Sequence, residues 1–110
     1  MKLDAAKTGI DNVTEEQLRG VFADDRGRGE YVRLEQKDEV YLQASGEMDG
    51  PYDLEYREGD VEHHFRAEGE FRKEEVQQAF LSYLAGDEKW RKQFRWQKLE
   101  MKPKPKWKFW

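Results

Sequence analysis

A chain of 110 residues has the size of one domain. Charged residues make up 40% of it and aromatics 14%, so a core must be built from a few large rings rather than many aliphatics. The net charge is −4, there is no cysteine, and no apolar run approaches the roughly 18 residues of a membrane-spanning helix, which excludes a disulfide scaffold, thiol chemistry and a helical span.

Residues 1–12 are poor in apolar side chains, show no signal-peptide pattern and are expected to be a flexible N-terminus. A helix should start at Thr14. Thr14 and Gln17 have the spacing of a capping box, in which each side chain bonds the other's backbone N–H. Leu18, Val21 and Phe22 form its apolar stripe. The DDRGRG stretch (24–29) reads as a solvated loop with glycines for the turn.

Residues 31–67 then alternate apolar and polar four times over. Val32 and Leu34 share a face, as do Val40, Leu42 and Ala44; Tyr52, Leu54 and Tyr56; and Val61, His63, Phe65 and Ala67. A period of two marks strands with one packed and one wet side. The breaks at 36–39, 46–51 and 58–60 suit hairpins, which predicts a four-stranded antiparallel meander. Residues 73–85 carry Val76, Ala79, Phe80, Tyr83 and Leu84 at helical spacing, and Gly86 is placed to end that helix in the left-handed conformation. Asp87 can cap a shorter helix bearing Trp90 and Phe94. The rings of Phe80, Tyr83, Trp90, Phe94 and Trp96 read as a lid on the core.

The expected fold is α+β: an N-terminal helix, the meander, then one long and one short C-terminal helix packed on one sheet face. Residues 13–101 form the domain, followed by a tail at 102–110.

The chemistry is sparse. The two serines sit in no nucleophile turn, and no glycine-rich phosphate cradle is present. No catalytic, cofactor or metal set is assigned. Alternation places His63 on the apolar side as a hydrogen-bonded core residue and His64 on the wet face. There, Glu62 and Glu55 could join His64 in an acid/base or metal-dependent site. The acidic residues of that face, Glu35, Asp53, Glu55 and Glu62, also suit contact with a basic protein.

The tail, KPKPKWKFW, differs from the body. Residues 98–110 hold five lysines against one glutamate, a net +4, which leaves −8 on residues 1–97. Its prolines favour an extended chain. Lys104, Lys106, Trp107, Lys108 and Trp110 mix cations and rings, which suits docking on the protein's own acidic body or a second copy, an anionic membrane surface, or single-stranded nucleic acid with lysines on phosphates and rings on bases.

Three segments, YLQASGE (41–47), LEYREG (54–59) and AFLSYLAGDEKWRKQFRW (79–96), resemble small uncharacterised bacterial α+β proteins and, more loosely, immunity proteins of bacterial polymorphic toxin systems. The resemblance covers about half the chain through core and turn residues. It implies a single α+β domain that binds another protein. The first expectation is therefore a cytoplasmic, non-catalytic protein-binding module, an immunity-type inhibitor of a basic partner. The alternatives are a nucleic-acid accessory protein acting through its tail and a small enzyme around His64.

Overall fold

The computed structural model describes residues 1–5, 8–23, 31–46 and 51–99. It has strands β1 (Lys2–Ala5) and β2 (Thr8–Ile10), then helix α1 (Glu15–Ala23). Strands β3 (Tyr31–Lys37), β4 (Val40–Gly46) and β5 (Tyr52–Glu58) follow. A 3₁₀ turn (Val61–His63) leads into β6 (His64–Ala67). Helices α2 (Lys73–Ala85) and α3 (Lys89–Gln93) and strand β7 (Trp96–Lys98) complete it. All strands join one antiparallel sheet in the order β2-β1-β3-β4-β5-β6-β7.

The α+β class and the antiparallel sheet agree with the sequence reading, but the sheet has seven strands where four were expected. The four expected strands are its middle, β3 to β6. β1 and β2 come from residues 1–12, which the sequence reading set outside the domain. They are four and three residues long, too short to display a period. What holds them is Leu3, fully buried and in register with Ile10 on one side and Leu34 on the other. The backbone bond from Val13 N–H to the Met1 carbonyl, 3.0 Å, closes the hairpin against α1.

The packed face is read along the register. Leu3, Leu34, Leu42, Tyr56 and Phe65 form one row across five strands. Val32, Ala44 and Leu54 form the next. Leu18, Val21 and Phe22 of α1 and Val76, Ala79, Phe80 and Tyr83 of α2 complete this core, with Phe22 and Phe80 edge to face at 5.3 Å. Trp90 and Trp96 meet Tyr56 edge-on at 4.9 and 4.7 Å. The five-ring lid expected from the sequence is thus divided: Phe80 belongs to the helix–helix contact, Trp90 and Trp96 meet Tyr56, Tyr83 packs on Trp90, and Phe94 packs on Phe71 and Trp96.

Local chemistry sets the helix ends. Thr14 N–H donates to Gln17 Oε1 at 2.9 Å and Gln17 N–H to Thr14 Oγ1 at 3.1 Å, the reciprocal cap read from the sequence. Gly86 ends α2 at φ 83°, its N–H donating to the carbonyls of Ser82 and Tyr83. Asp87 accepts the Ser82 hydroxyl and, at 3.0 Å, the Lys89 N–H. Ser82 Oγ in turn accepts the Trp90 N–H at 3.1 Å, so one buried serine fastens α3 to α2.

The fourth expected strand begins late. Asp60 Oδ1 accepts the Glu62 N–H at 3.0 Å and bonds His63 Nδ1 at 2.8 Å, while its carbonyl accepts the His63 N–H. A short carboxylate that captures the backbone donor two residues on, while its own carbonyl takes the one after that, makes a turn rather than an extended chain. Pairing therefore starts at His64. His63 is exposed beside Asp60, not a core residue. Among the described residues, no helix is long and apolar enough to cross a membrane.

Candidate functional site

The second face of the sheet carries no described helix. Its side chains follow from the register. One row runs Lys2, Glu35, Tyr41, Arg57, His64, and the next runs Asp4, Arg33, Gln43, Glu55, Arg66, Gln97. Tyr31, Ser45 and Asp53 begin a third.

These side chains lie on one another rather than standing free in water. The Arg33 guanidinium sits 4.0 Å from the centre of the Tyr41 ring and donates through Nε to Gln43 Oε1 at 2.8 Å. Tyr41 is edge-on to His64 at 6.2 Å. His64 Nε2 meets Glu55 Oε1 at 2.8 Å, and Arg66 donates to Asp53 Oδ1 at 2.7 Å. Arg57 pairs with Glu39 at 2.9 Å. Both cross-strand pairs are diagonal neighbours, since Glu55 is directly opposite Arg66 and Arg57 is directly opposite His64. Arginine and tyrosine stems cover the backbone beneath them, so Tyr41 and His64 are buried on what alternation alone marks as the wet side.

His64 is only 7% exposed. The Glu55 carboxylate can only accept, so Nε2 is the donor of this contact. His64 Nδ1 and, across the β5–β6 pair, Arg57 Nε are buried with no hydrogen-bond partner among the described residues. No family model, curated protein or solved structure matches the chain.

The structure brings together Glu35, Asp53, Glu55 and His64 of the residues named from sequence, all on this face. It separates Glu62, which lies in the 3₁₀ turn and pairs with Lys98 Nζ at 3.1 Å. The trio Glu55, Glu62 and His64 therefore does not converge, and among the described residues no three His, Asp or Glu side chains are grouped to hold a metal ion. Lys104, Lys106, Trp107, Lys108 and Trp110 lie outside the described residues.

The register also places basic residues that the sequence reading did not single out. Lys2, Arg33, Arg57 and Arg66 stand among Asp4, Glu35, Asp53 and Glu55, so the face is balanced in charge rather than acidic. The signal was available, because the same alternation that selects Glu55 selects Arg57. Choosing candidates by one sign of charge passed over it. The described residues outside the face keep a surplus of acid, with Glu15 and Glu16 in the first turn of α1 and Glu74 and Glu75 in that of α2.

Proposed function

We propose that this chain is a non-catalytic protein-binding module that meets its partner with the open sheet face. The observation that carries this reading is the interlocked set Arg33, Tyr41, His64 and Glu55, a patch of arginine and aromatic side chains held against one another on the sheet face that no described helix covers. Tyr and Arg are the residues that anchor interfaces, and side chains already held by neighbours lose little freedom on binding. Tyr31, the exposed large apolar side chain among the described residues at 37%, lies on the same face. An immunity-type role is the form of this reading to which the sequence resemblance leads. The charge balance of the face favours a partner with interleaved charges of its own over a uniformly basic one.

The test uses a charge swap that leaves the fold intact. Arg66 and Asp53 form an exposed cross-strand ion pair, and exchanging them (Asp53→Arg with Arg66→Asp) preserves the pair while inverting its pattern toward a partner. Affinity capture from native cell lysate is run with the unaltered chain, the swapped chain and a chain ending at Met101, with and without nuclease. A stoichiometric protein held by the unaltered and shortened chains and lost by the swap supports the face. Equal capture by the swapped chain refutes it. Capture that needs residues 102–110 and vanishes with nuclease favours nucleic-acid binding through the tail, the reading its lysines and tryptophans support.

A further inference from the structure

The charges of the open face are ordered as well as balanced. β4 is the fourth of the seven strands, with three on each side. The middle row reads Asp4, Arg33, Gln43, Glu55, Arg66, with Gly9 before it on β2 and Gln97 after it on β7. Counted outward from Gln43, each side chain has a counterpart of opposite charge: Arg33 has Glu55, and Asp4 has Arg66. In the row beginning at Lys2, Tyr41 is central and is flanked by Glu35 and Arg57. That row ends in Lys2 and His64, a pair without opposite charge. In the third row, Ser45 is flanked by the hydroxyl-bearing Tyr31 and the carboxylate of Asp53.

A two-fold axis along β4 exchanges these counterparts. It lays β3 of one copy on β5 of the other and β1 on β6. Arg33 then faces Glu55 of the second copy, Asp4 faces Arg66, Glu35 faces Arg57, and Tyr31 faces Asp53. This is the condition of an isologous contact, in which residue i meets j and j meets i. Gln43 meets its own copy on the axis, and an amide both donates and accepts. A two-fold axis across the strands would instead set Asp4, Arg33, Glu55 and Arg66 each against its own kind. The pattern therefore favours one orientation and opposes the other.

We propose that the open face binds the open face of a second copy about the axis along β4. This names the partner of the face and rests on reading that face as a protein-binding surface. Arg33 and Glu55, next to the axis, are half-buried rather than enclosed. Arg33 bonds Gln43 through Nε and Glu55 bonds His64 through Oε1. Among the described residues nothing bonds the Arg33 Nη atoms or Glu55 Oε2, and these are the atoms that would meet. Sheets packed face to face stand about 10 Å apart, within the joint reach of an arginine and a glutamate. The chain carries −4, but its surplus acid lies off this face, so two copies can approach here without net repulsion. Five strands about 4.8 Å apart and three rows about 6.8 Å apart span roughly 500 Å² per copy, or about 1,000 Å² in all, the lower limit of a specific contact.

Sedimentation equilibrium of the full chain through the micromolar and millimolar range tests the proposal. A monomer–dimer equilibrium with Kd of about 1–100 μM is expected from an interface of that size, weaker in high salt. Arg33→Glu and Glu55→Lys decide the geometry. In either variant alone, symmetry sets two like-charged pairs across the axis, and association should weaken at least about a hundredfold. Mixed in equal amounts, the two variants complement each other at both pairs, and a heterodimer should form. Should Glu55→Lys fail to fold for want of its bond to His64, Asp4→Lys and Arg66→Glu make the same test farther from the axis. Recovery on mixing supports the axis along β4. A full chain that stays monomeric overturns the inference, as does a dimer that survives either variant alone or is not recovered by the mixture. The two readings fail separately. A monomeric chain that still captures a different protein, and loses it on exchange of Asp53 and Arg66, upholds the binding face and removes the second copy as its partner.

Discussion

Gly46→Ala is the sharpest test of how β4 and β5 are held together. Gly46 pairs with Tyr52 at the end of the two strands, and a Cβ added at Gly46 would stand 2.3 Å from the Pro51 carbonyl oxygen and 3.1 Å from Tyr52 Cα. Both obstacles are backbone, so no side chain can turn away to make room. Restoring an ordinary contact requires the strand ends to part by about 1 Å, an overpacking displacement of the kind that costs roughly 1–3 kcal/mol. Tyr52 cannot follow freely. Its ring is buried, and its backbone is bonded in both directions to Phe71, at 2.8 and 3.1 Å. Stretching that bridge adds about 1 kcal/mol. The expected loss is about 2–4 kcal/mol, a large part of the roughly 5–15 kcal/mol that holds a domain of this size. Equilibrium urea unfolding followed by far-ultraviolet circular dichroism reads it as a lowered midpoint with an unchanged slope. A loss below about 0.5 kcal/mol would mean that the strand end yields freely, and the argument from close approach would fail.

Two further outcomes are expected. Gly20→Ala should stabilise the chain by about 0.5–1 kcal/mol in the same assay, because Gly20 is an exposed position within α1, a Cβ there meets nothing within 4 Å, and alanine holds a helix better. Acidification should lower the urea midpoint partly through Asp87. The Ser82 hydroxyl, and then the Lys89 N–H, hold its carboxyl below the ordinary 3.8, so its contribution is present above that pH and is lost as the pH falls through the depressed value. Asp87→Asn should flatten that part of the acid limb in melts run from neutral pH downward.

The middle of the sheet and both longer helices were legible in the sequence because their signals are long. Tyr52, Leu54 and Tyr56 repeat every second residue over a full strand, and the Thr14–Gln17 cap announces α1. The edges were not legible. β2 and β7 have three residues each, and Trp96 follows directly on Trp90 and Phe94, a pair one helical turn apart. In the fold, Phe94 turns to an extended conformation and the Trp96 indole donates to the Arg91 carbonyl at 3.0 Å. The candidate face was half legible. Alternation placed Glu55 beside His64, where they bond. It could not show that Asp60 would gather Glu62 and His63 into a turn, because that outcome depends on hydrogen bonds competing with a ladder of equal local propensity.

The Asp60 turn also acts as a phase-setter. Residues 61–63 are withheld from pairing, so β6 begins at His64 with His64 and Arg66 outward and Phe65 and Ala67 inward. One residue inserted into or deleted from this turn would invert all four positions. Phe65 would leave the stack it makes with Tyr56 at 4.9 Å, and an imidazole would be forced among the rings of the core. The segment between Glu58 and His64 would be confined to changes of two residues or none.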